Sequence, residues 1–367
     1  MVLGGDIILE KIGLITIHDT LNFGSLLQTY SLYEAVKSLG KDITLLDYKN
    51  DAISRRESTY KFRDCRKPKE FYKAVFHHGF LEKKQRNFWS FIRDNMTVSD
   101  EFDYKSVQAS NDKFDTFLVG SDIVWGMEIT DSDFNYMLQF AADDKKKVAF
   151  SSSVGTRWPK EKDSKITELL SRFDAISVRE QLAVKWINEL IPDMDVCETC
   201  DPTMLWDKTF WNKFVERALV PSGRYVLAYL KTDDKRTVKD ASTYGKEHNL
   251  PVYYINYNHC EPGVKNIRPT TVSQWISLFA FAEVIFTASY HGIMFSLFFE
   301  KPFFWYSRAN SARTDSLSKE LGIENREGNE KNLMLNLPMN YSIINRIVAE
   351  KRKFSWERLK QIFNVDN

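Results

Sequence analysis

At Phe117-Leu-Val-Gly-Ser-Asp122, four apolar or neutral residues run straight into a polar elbow, and an aromatic follows at Trp125. The segment has room for one short buried strand and then a turn. In an open parallel sheet, ligands sit just beyond the carboxyl ends of the strands. The same grammar recurs at Ile15-Thr-Ile-His18 with Asn22-Phe-Gly-Ser25, and at Val284-Ile-Phe-Thr-Ala-Ser-Tyr-His-Gly292. One Gly-Ser-Asp is an ordinary turn. The recurrence is what predicts a site built on α/β layers.

Strand and helix signals alternate around these edges. Lys11–Ile17 reads as a strand, Leu26–Leu39 has a helical apolar period closed by Gly40, and Ile43–Leu46 reads as the next strand. That is a strand–helix–strand unit with a right-handed crossover expected. Further strands are predicted at Thr116–Val119, Lys147–Phe150, Ala175–Val178 and Val196, with helices at Ile166–Arg172 and Gln181–Leu190. Beyond a hinge at Asp201–Asp207 the pattern restarts. Strands are predicted at Tyr225–Tyr229, Val252–Ile255, Glu283–Thr287 and Pro302–Tyr306, and helices at Val238–His248, Val272–Phe281 and Gly292–Phe299. Such alternation argues parallel sheets flanked by helices.

The chain of 367 residues is too long for one small core. The expected division is an N-terminal Rossmann-like domain over 1–205, a second over 206–335 and a C-terminal helical segment over 336–367 that packs back on the first. Residues 55–110 read as a helical insertion with a basic face and an aromatic face. Lys83, Lys84 and Arg86 alternate there with Phe80, Phe88 and Trp89. The bland reading of that stretch is aromatics in the core and lysines in water. The sharper one is peripheral contact with an anionic membrane.

With 51 basic and 50 acidic residues the global balance offers no argument for nucleic acid, whose binders normally show a basic domain or stripe, and no nucleic-acid partner is expected. No apolar run reaches the roughly 20 residues of a membrane span, and the start has no secretory pattern. A cytoplasmic protein is expected. The four cysteines, Cys65, Cys197, Cys200 and Cys260, are too few for a disulfide scaffold. Cys197-Glu-Thr-Cys200 lacks a second pair, so it reads as a strand entering a turn rather than a zinc site, and no metal is expected.

The motifs for a P-loop, a dinucleotide site, a zincin and an α/β-hydrolase are all missing. Among those present, Thr287-Ala-Ser-Tyr-His-Gly292 ranks first. A strand delivers His291 into a turn beside Gly292, and a helix begins there, so an anion would meet amides and an imidazole together. The competing reading is a helix-capping or core histidine. In Ala175-Ile-Ser-Val-Arg179-Glu180, the guanidinium suits phosphate or carboxylate, against the plainer reading of an Arg–Glu surface pair. Asn22 and Gly24 form a turn at a helix start, read either as ligand contacts or as N-capping. His18 precedes them. Asn310–Arg313 reads as a ligand contact or as the start of a solvated helix.

In order and spacing, these pieces resemble the polysaccharide pyruvyl transferase family. The matching stretches are Ile12–His18, Asn22–Tyr30, Val119–Asp122 with Trp125, Ser151–Gly155, Ile176–Glu180, Asp201–Thr203, and Ala282–Gly292 through Pro302. The resemblance implies a glycosyltransferase-B-like fold: two Rossmann-like domains with a cleft between them. It also implies transfer of pyruvate from phosphoenolpyruvate onto a sugar diol, free or lipid-linked, as a cyclic ketal, without a cofactor. His291, Asp122 and His18 are then the candidate acid–base groups. Arg179, Ser289, Gly292 and Arg313 are candidate donor contacts, and Asn22, Gly24, Ser121 and Trp125 candidate acceptor contacts. Some members carry an arginine where this chain has Ser289. The alternatives are a nucleotide-sugar glycosyltransferase of the same fold and a catalytically silent glycan-binding protein.

Overall fold

The structure is a computed structural model. It describes residues 10–57, 68–230, 235–257, 261–307, 312–336 and 338–365; the side chains of 57, 68–78, 312, 313 and 315 lie outside what is described. The chain divides into two compact units. The first comprises Met1–Ser58, Ile92–Leu205 and Lys351–Asn367, and the second Thr59–Phe91 and Trp206–Glu350.

The first unit holds strands β1 (Lys11–Ile15), β2 (Asp42–Tyr48), β3 (Val98–Phe102), β4 (Thr116–Val119), β5 (Lys146–Ser152), β6 (Ala175–Val178) and β7 (Val196–Glu198). They form one parallel sheet in the order β3-β2-β1-β4-β5-β6-β7. β4 is buried at all four positions and β1 at all but Lys11, as expected of parallel strands covered on both faces. The order reverses between β1 and β4, where Ile12 pairs Ile43 on one side and Thr116 on the other. The loops after β1 and β4 therefore flank the switch point, where open α/β sheets bind ligands.

The second unit repeats this design with β8 (Val226–Tyr229), β9 (Val252–Ile255), β10 (Lys265–Ile267), β11 (Val284–Thr287) and β12 (Phe303–Trp305). The parallel order β10-β9-β8-β11-β12 puts its reversal between β8 and β11. So β11, which delivers His291, holds the place in its sheet that β4 holds in the other. Below the helix Tyr290–Phe298 lies an aromatic cluster. The Phe295 ring sits 4.9 Å from Trp211 and 4.8 Å from Trp275, which anchors that helix one turn beyond His291.

Of the stretch 55–110, residues 58–67 lie outside those described; the described part holds the long helix Pro68–Asn95 and then, where more helix was expected, strand β3. β3 is an outer strand that buries only Phe102, so Val-Ser-Asp-Glu-Phe carries no strong apolar signal. Lys84 is also not a surface cation. It is 4 % exposed, and its ammonium lies 3.9 Å over the Tyr257 ring. Lys83 and Arg86 are exposed. Near the C-terminus, Tyr341 donates to the Lys301 carbonyl within the second unit. From Lys351 on, the same helix is tied to the first unit: Arg352 and Trp356 donate to the carbonyls of Met204 and Leu205.

Candidate active site

At the switch point of the first sheet, polar side chains from a helix and two loops interlock. The helix Phe23–Ser38 begins right after the β1 loop, capped by Asn22, whose side chain accepts from the Gly24 amide at 3.0 Å. Asn22 and Gly24 thus take the capping reading. One turn in, Ser25 donates its hydroxyl to Asp122 Oδ2. Three residues later, Gln28 is fully buried. Its amide donates to Thr16 Oγ1 at 3.3 Å, and its carbonyl accepts from the Ser121 amide at 3.2 Å. Ser25 and Gln28 share one helix face and staple the β1 loop to the β4 loop. Their i, i+3 spacing within the Asn22–Gln28 motif was the signal available for them.

The β4 elbow has a constrained backbone. Gly120 has φ +148°, and a Cβ there would lie 2.0 Å from the Phe150 carbonyl oxygen, so only glycine fits. The Gly120–Ser121 peptide is cis, and Asp122 has φ +63°. Asp122 is partly exposed; its Oδ1 accepts from the Ile123 amide at 2.9 Å. Ser121 is fully buried, and its Oγ has no hydrogen-bond partner among the described residues. Trp125 corrects the expectation of an acceptor contact. It is 1 % exposed, its indole donates to the Tyr136 carbonyl at 2.8 Å, and its ring packs on Phe173. It is core because its one polar atom is satisfied inside.

His18 and Arg179 are also more enclosed than their motifs suggest. His18 Nδ1 lies 3.2 Å from the Thr16 carbonyl oxygen and Nε2 3.2 Å from Asp47 Oδ1. Both partners are acceptors, so a neutral ring can donate to only one of them. Its side chain has no exposure, and its ring joins the loop after β1 to Asp47 near the end of β2. Asp47 is pushed up by its own burial. Hydrogen bonds and charge from His18 and Lys49 outweigh that and hold it below the usual carboxylate range. Arg179 lies 2.5 Å from Asp201, whose side chain is fully buried. Asp201 in turn accepts from the amide and hydroxyl of Thr203 at 3.0 and 2.7 Å. The Asp-Pro-Thr motif therefore holds the arginine in a buried ion pair, where a donor clamp was expected. The Glu180 carboxylate beside it accepts from the Ser153 hydroxyl.

In the second unit, Ser289 caps the helix Tyr290–Phe298, accepting from the Gly292 amide at 3.4 Å. The expected donor contacts Ser289 and Gly292 thus satisfy each other. A Cβ on Gly292 would lie 2.1 Å from Thr287 Oγ1 and 3.1 Å from the Tyr229 ring, so this glycine serves close helix–sheet packing. His291 sits in the first turn, 9 % exposed, with its ring 5.4 Å edge-on to Tyr290. An imidazole there shares the helix start with any anion bound at it. Arg313 lies in the helix Ala312–Leu321, with its side chain outside the described residues, as is the preceding 308–311.

Cys197 and Cys200, on and after β7, are free thiols, and burial pushes the Cys200 thiol up to about 12. Cys65, His259 and Cys260 lie outside the described residues. Among the described residues, no three His, Cys, Asp or Glu side chains converge as metal ligands. No described helix is long and apolar enough to cross a membrane.

Two parallel sheets with matching strand order, each with a polar switch point, define an α/β protein of glycosyltransferase-B-like fold. Solved structures share it. A Listeria monocytogenes protein assigned as a UDP-N-acetylglucosamine 2-epimerase aligns at TM-score 0.57 and 12 % identity, over 98 % of this chain and 97 % of its own. MnaA of S. aureus, in a UDP co-structure, aligns at 0.52 and 14 % identity, over 98 % of each chain. The UDP-GlcNAc 2-epimerase of Neisseria meningitidis bound to UDP-GlcNAc aligns at 0.51 and 10 % identity, over 98 % of this chain and all of its own. At these identities the likeness concerns the fold alone. No curated protein matches the sequence. The family model described as polysaccharide pyruvyl transferase matches residues 22–310. The chain belongs to the polysaccharide pyruvyl transferase family.

Proposed function

We propose that the protein transfers pyruvate from phosphoenolpyruvate onto two hydroxyls of a sugar, forming a cyclic ketal. The observation that carries this reading is the family match over residues 22–310, which takes in both switch-point motifs. The chemistry asks for an acid, an anion site and hydroxyl acceptors. A proton adds to the methylene carbon of the enol and turns it into a methyl group. One sugar hydroxyl bonds to the adjacent carbon, the carbon–phosphate oxygen bond breaks, and the second hydroxyl closes the ring. Of the two protons lost by the hydroxyls, one replaces that given to the methyl group and the other leaves with phosphate.

Each sheet edge supports its own part of this reading. In the second unit, His291 at a helix start suits proton donation beside an anion. In the first unit, Asp122 and Glu180, each held by a serine hydroxyl, suit a neutral polyol. The test is incubation with phosphoenolpyruvate and a panel of p-nitrophenyl hexopyranosides, with mass spectrometry for the ketal and a colour assay for phosphate. The expected result is a pyruvylated glycoside with phosphate released in equal amount. Release of a nucleoside diphosphate from a nucleotide sugar, with no reaction of phosphoenolpyruvate, would turn the assignment to glycosyl transfer.

A further inference from the structure

We infer that Glu180 is a binding group for a sugar hydroxyl, at a subsite on the carboxyl edge of β5–β6 formed with Ser153. This rests on the pyruvyl-transfer reading only in naming the ligand a sugar. Glu180 is the N-cap residue of the helix Gln181–Leu190, yet its side chain caps nothing. The carboxylate turns instead across the sheet edge, where Oε1 accepts from the Ser153 hydroxyl. The Ser153 amide donates to the Asp122 carbonyl at 3.0 Å, so the subsite is continuous with the β4 elbow.

The second oxygen makes the case. Glu180 Oε2 is buried and has no hydrogen bond among the described residues, although the side chain as a whole is 14 % exposed. Nor does Arg179 supply one. Its Nη1 is spent on Asp201, and its Nε stands 3.7 Å from the other oxygen, Oε1. A carboxylate oxygen left unsatisfied in the interior is costly, and a neutral O–H donor such as a sugar hydroxyl relieves it without adding charge. An anionic ligand would be repelled there. The subsite therefore selects a polyol such as a hexopyranoside, and Glu180 is a specificity-determining residue for the acceptor.

The experiment compares wild type with Glu180→Gln, which keeps size and one acceptor oxygen. Thermal melts are run without ligand and with millimolar p-nitrophenyl hexopyranosides, since a ligand that binds the native state raises the melting temperature. Without ligand, Glu180→Gln should melt within about 2 °C of wild type or above it. A fall of more than about 4 °C, the scale of a lost buried hydrogen bond in a chain of this size, would make Glu180 a fold-holding residue and overturn the inference. At least one glycoside should stabilise wild type and not Glu180→Gln; equal shifts in both, or none in either, overturn it. Where pyruvyl transfer is seen, the acceptor KM should rise about ten-fold or more with the phosphoenolpyruvate KM unchanged. An unchanged acceptor KM counts against the inference. Glycoside binding lost in Glu180→Gln, with no transfer by wild type, would sustain the subsite and remove the pyruvyl-transfer reading.

Discussion

Gly292→Ala is the sharpest test of how the second sheet holds His291. The added Cβ would lie 2.1 Å from Thr287 Oγ1, 3.0 Å from Thr287 Cβ and 3.1 Å from the Tyr229 ring. Thr287 has nowhere to go. It is fully buried, donates to the Tyr229 carbonyl at 2.8 Å and accepts from the Ser289 amide at 3.1 Å. Alanine is intrinsically better in a helix by about 1 kcal/mol, so the clash must exceed that before any loss appears. Overpacking against fixed atoms costs roughly 1–3 kcal/mol, and contacts this short belong at or beyond the upper end. The expected net loss is about 2 kcal/mol, or roughly 4–8 °C in Tm for a unit of this size. Ser289→Ala, which removes only a cap, should cost about 1 kcal/mol. Melts followed by circular dichroism should rank wild type above Ser289→Ala above Gly292→Ala. A Gly292→Ala protein that melts within about 1 °C of wild type would refute the close-packing argument, because the helix would then have slack.

His291→Asn should keep the melting temperature and lower pyruvyl transfer by about 10²-fold or more; near-wild-type turnover would remove it as the acid. Arg179→Met should destabilise by about 3–5 kcal/mol, because it strands the buried Asp201 charge, and Asp201→Asn added to it should recover part of the loss. If Arg179→Met melts like wild type and only raises the phosphoenolpyruvate KM, the clamp reading returns. Asp47 titrates below its ordinary value in the folded state. Its contribution is therefore complete above about pH 4 and lost as pH falls through the folded value, so urea midpoints at pH 7 and pH 3 should differ less in Asp47→Asn than in wild type. Lys84→Ala should lose stability through its desolvated contact with Tyr257, about 2 kcal/mol, whereas Lys83→Ala should melt like wild type. We also propose that any docking to anionic vesicles draws on Lys83 and Arg86, and sedimentation at low salt should register their replacement by Gln and not that of Lys84.

What could be read in the sequence follows from where each signal is stored. β1, β4, β8 and β11 were legible because strands covered on both faces must be unbroken apolar runs. β3 and β10 were not, because outer strands are half solvated, and Val-Ser-Asp-Glu-Phe and Lys-Asn-Ile look like loop. The site divides along another line. That His18, Asp122, Arg179 and His291 fall at strand ends is local information, and the motifs showed it. What each side chain does there depends on partners chosen by sheet order. His18 meets Asp47 from the next strand, Trp125 meets the Tyr136 carbonyl, and Arg179 meets Asp201 beyond β7. Glu180 shows the consequence most directly. Beside Arg179 in sequence it reads as half of a surface ion pair. The pair does form, buried rather than on the surface, with Arg179 Nε 3.7 Å from Oε1, but the arginine's short contact goes to Asp201, and Ser153 donates to the same Oε1. The other oxygen is left buried without a hydrogen bond among the described residues. A residue that its nearest neighbour explains in sequence is thus one whose second oxygen the packing leaves without a hydrogen bond among the described residues.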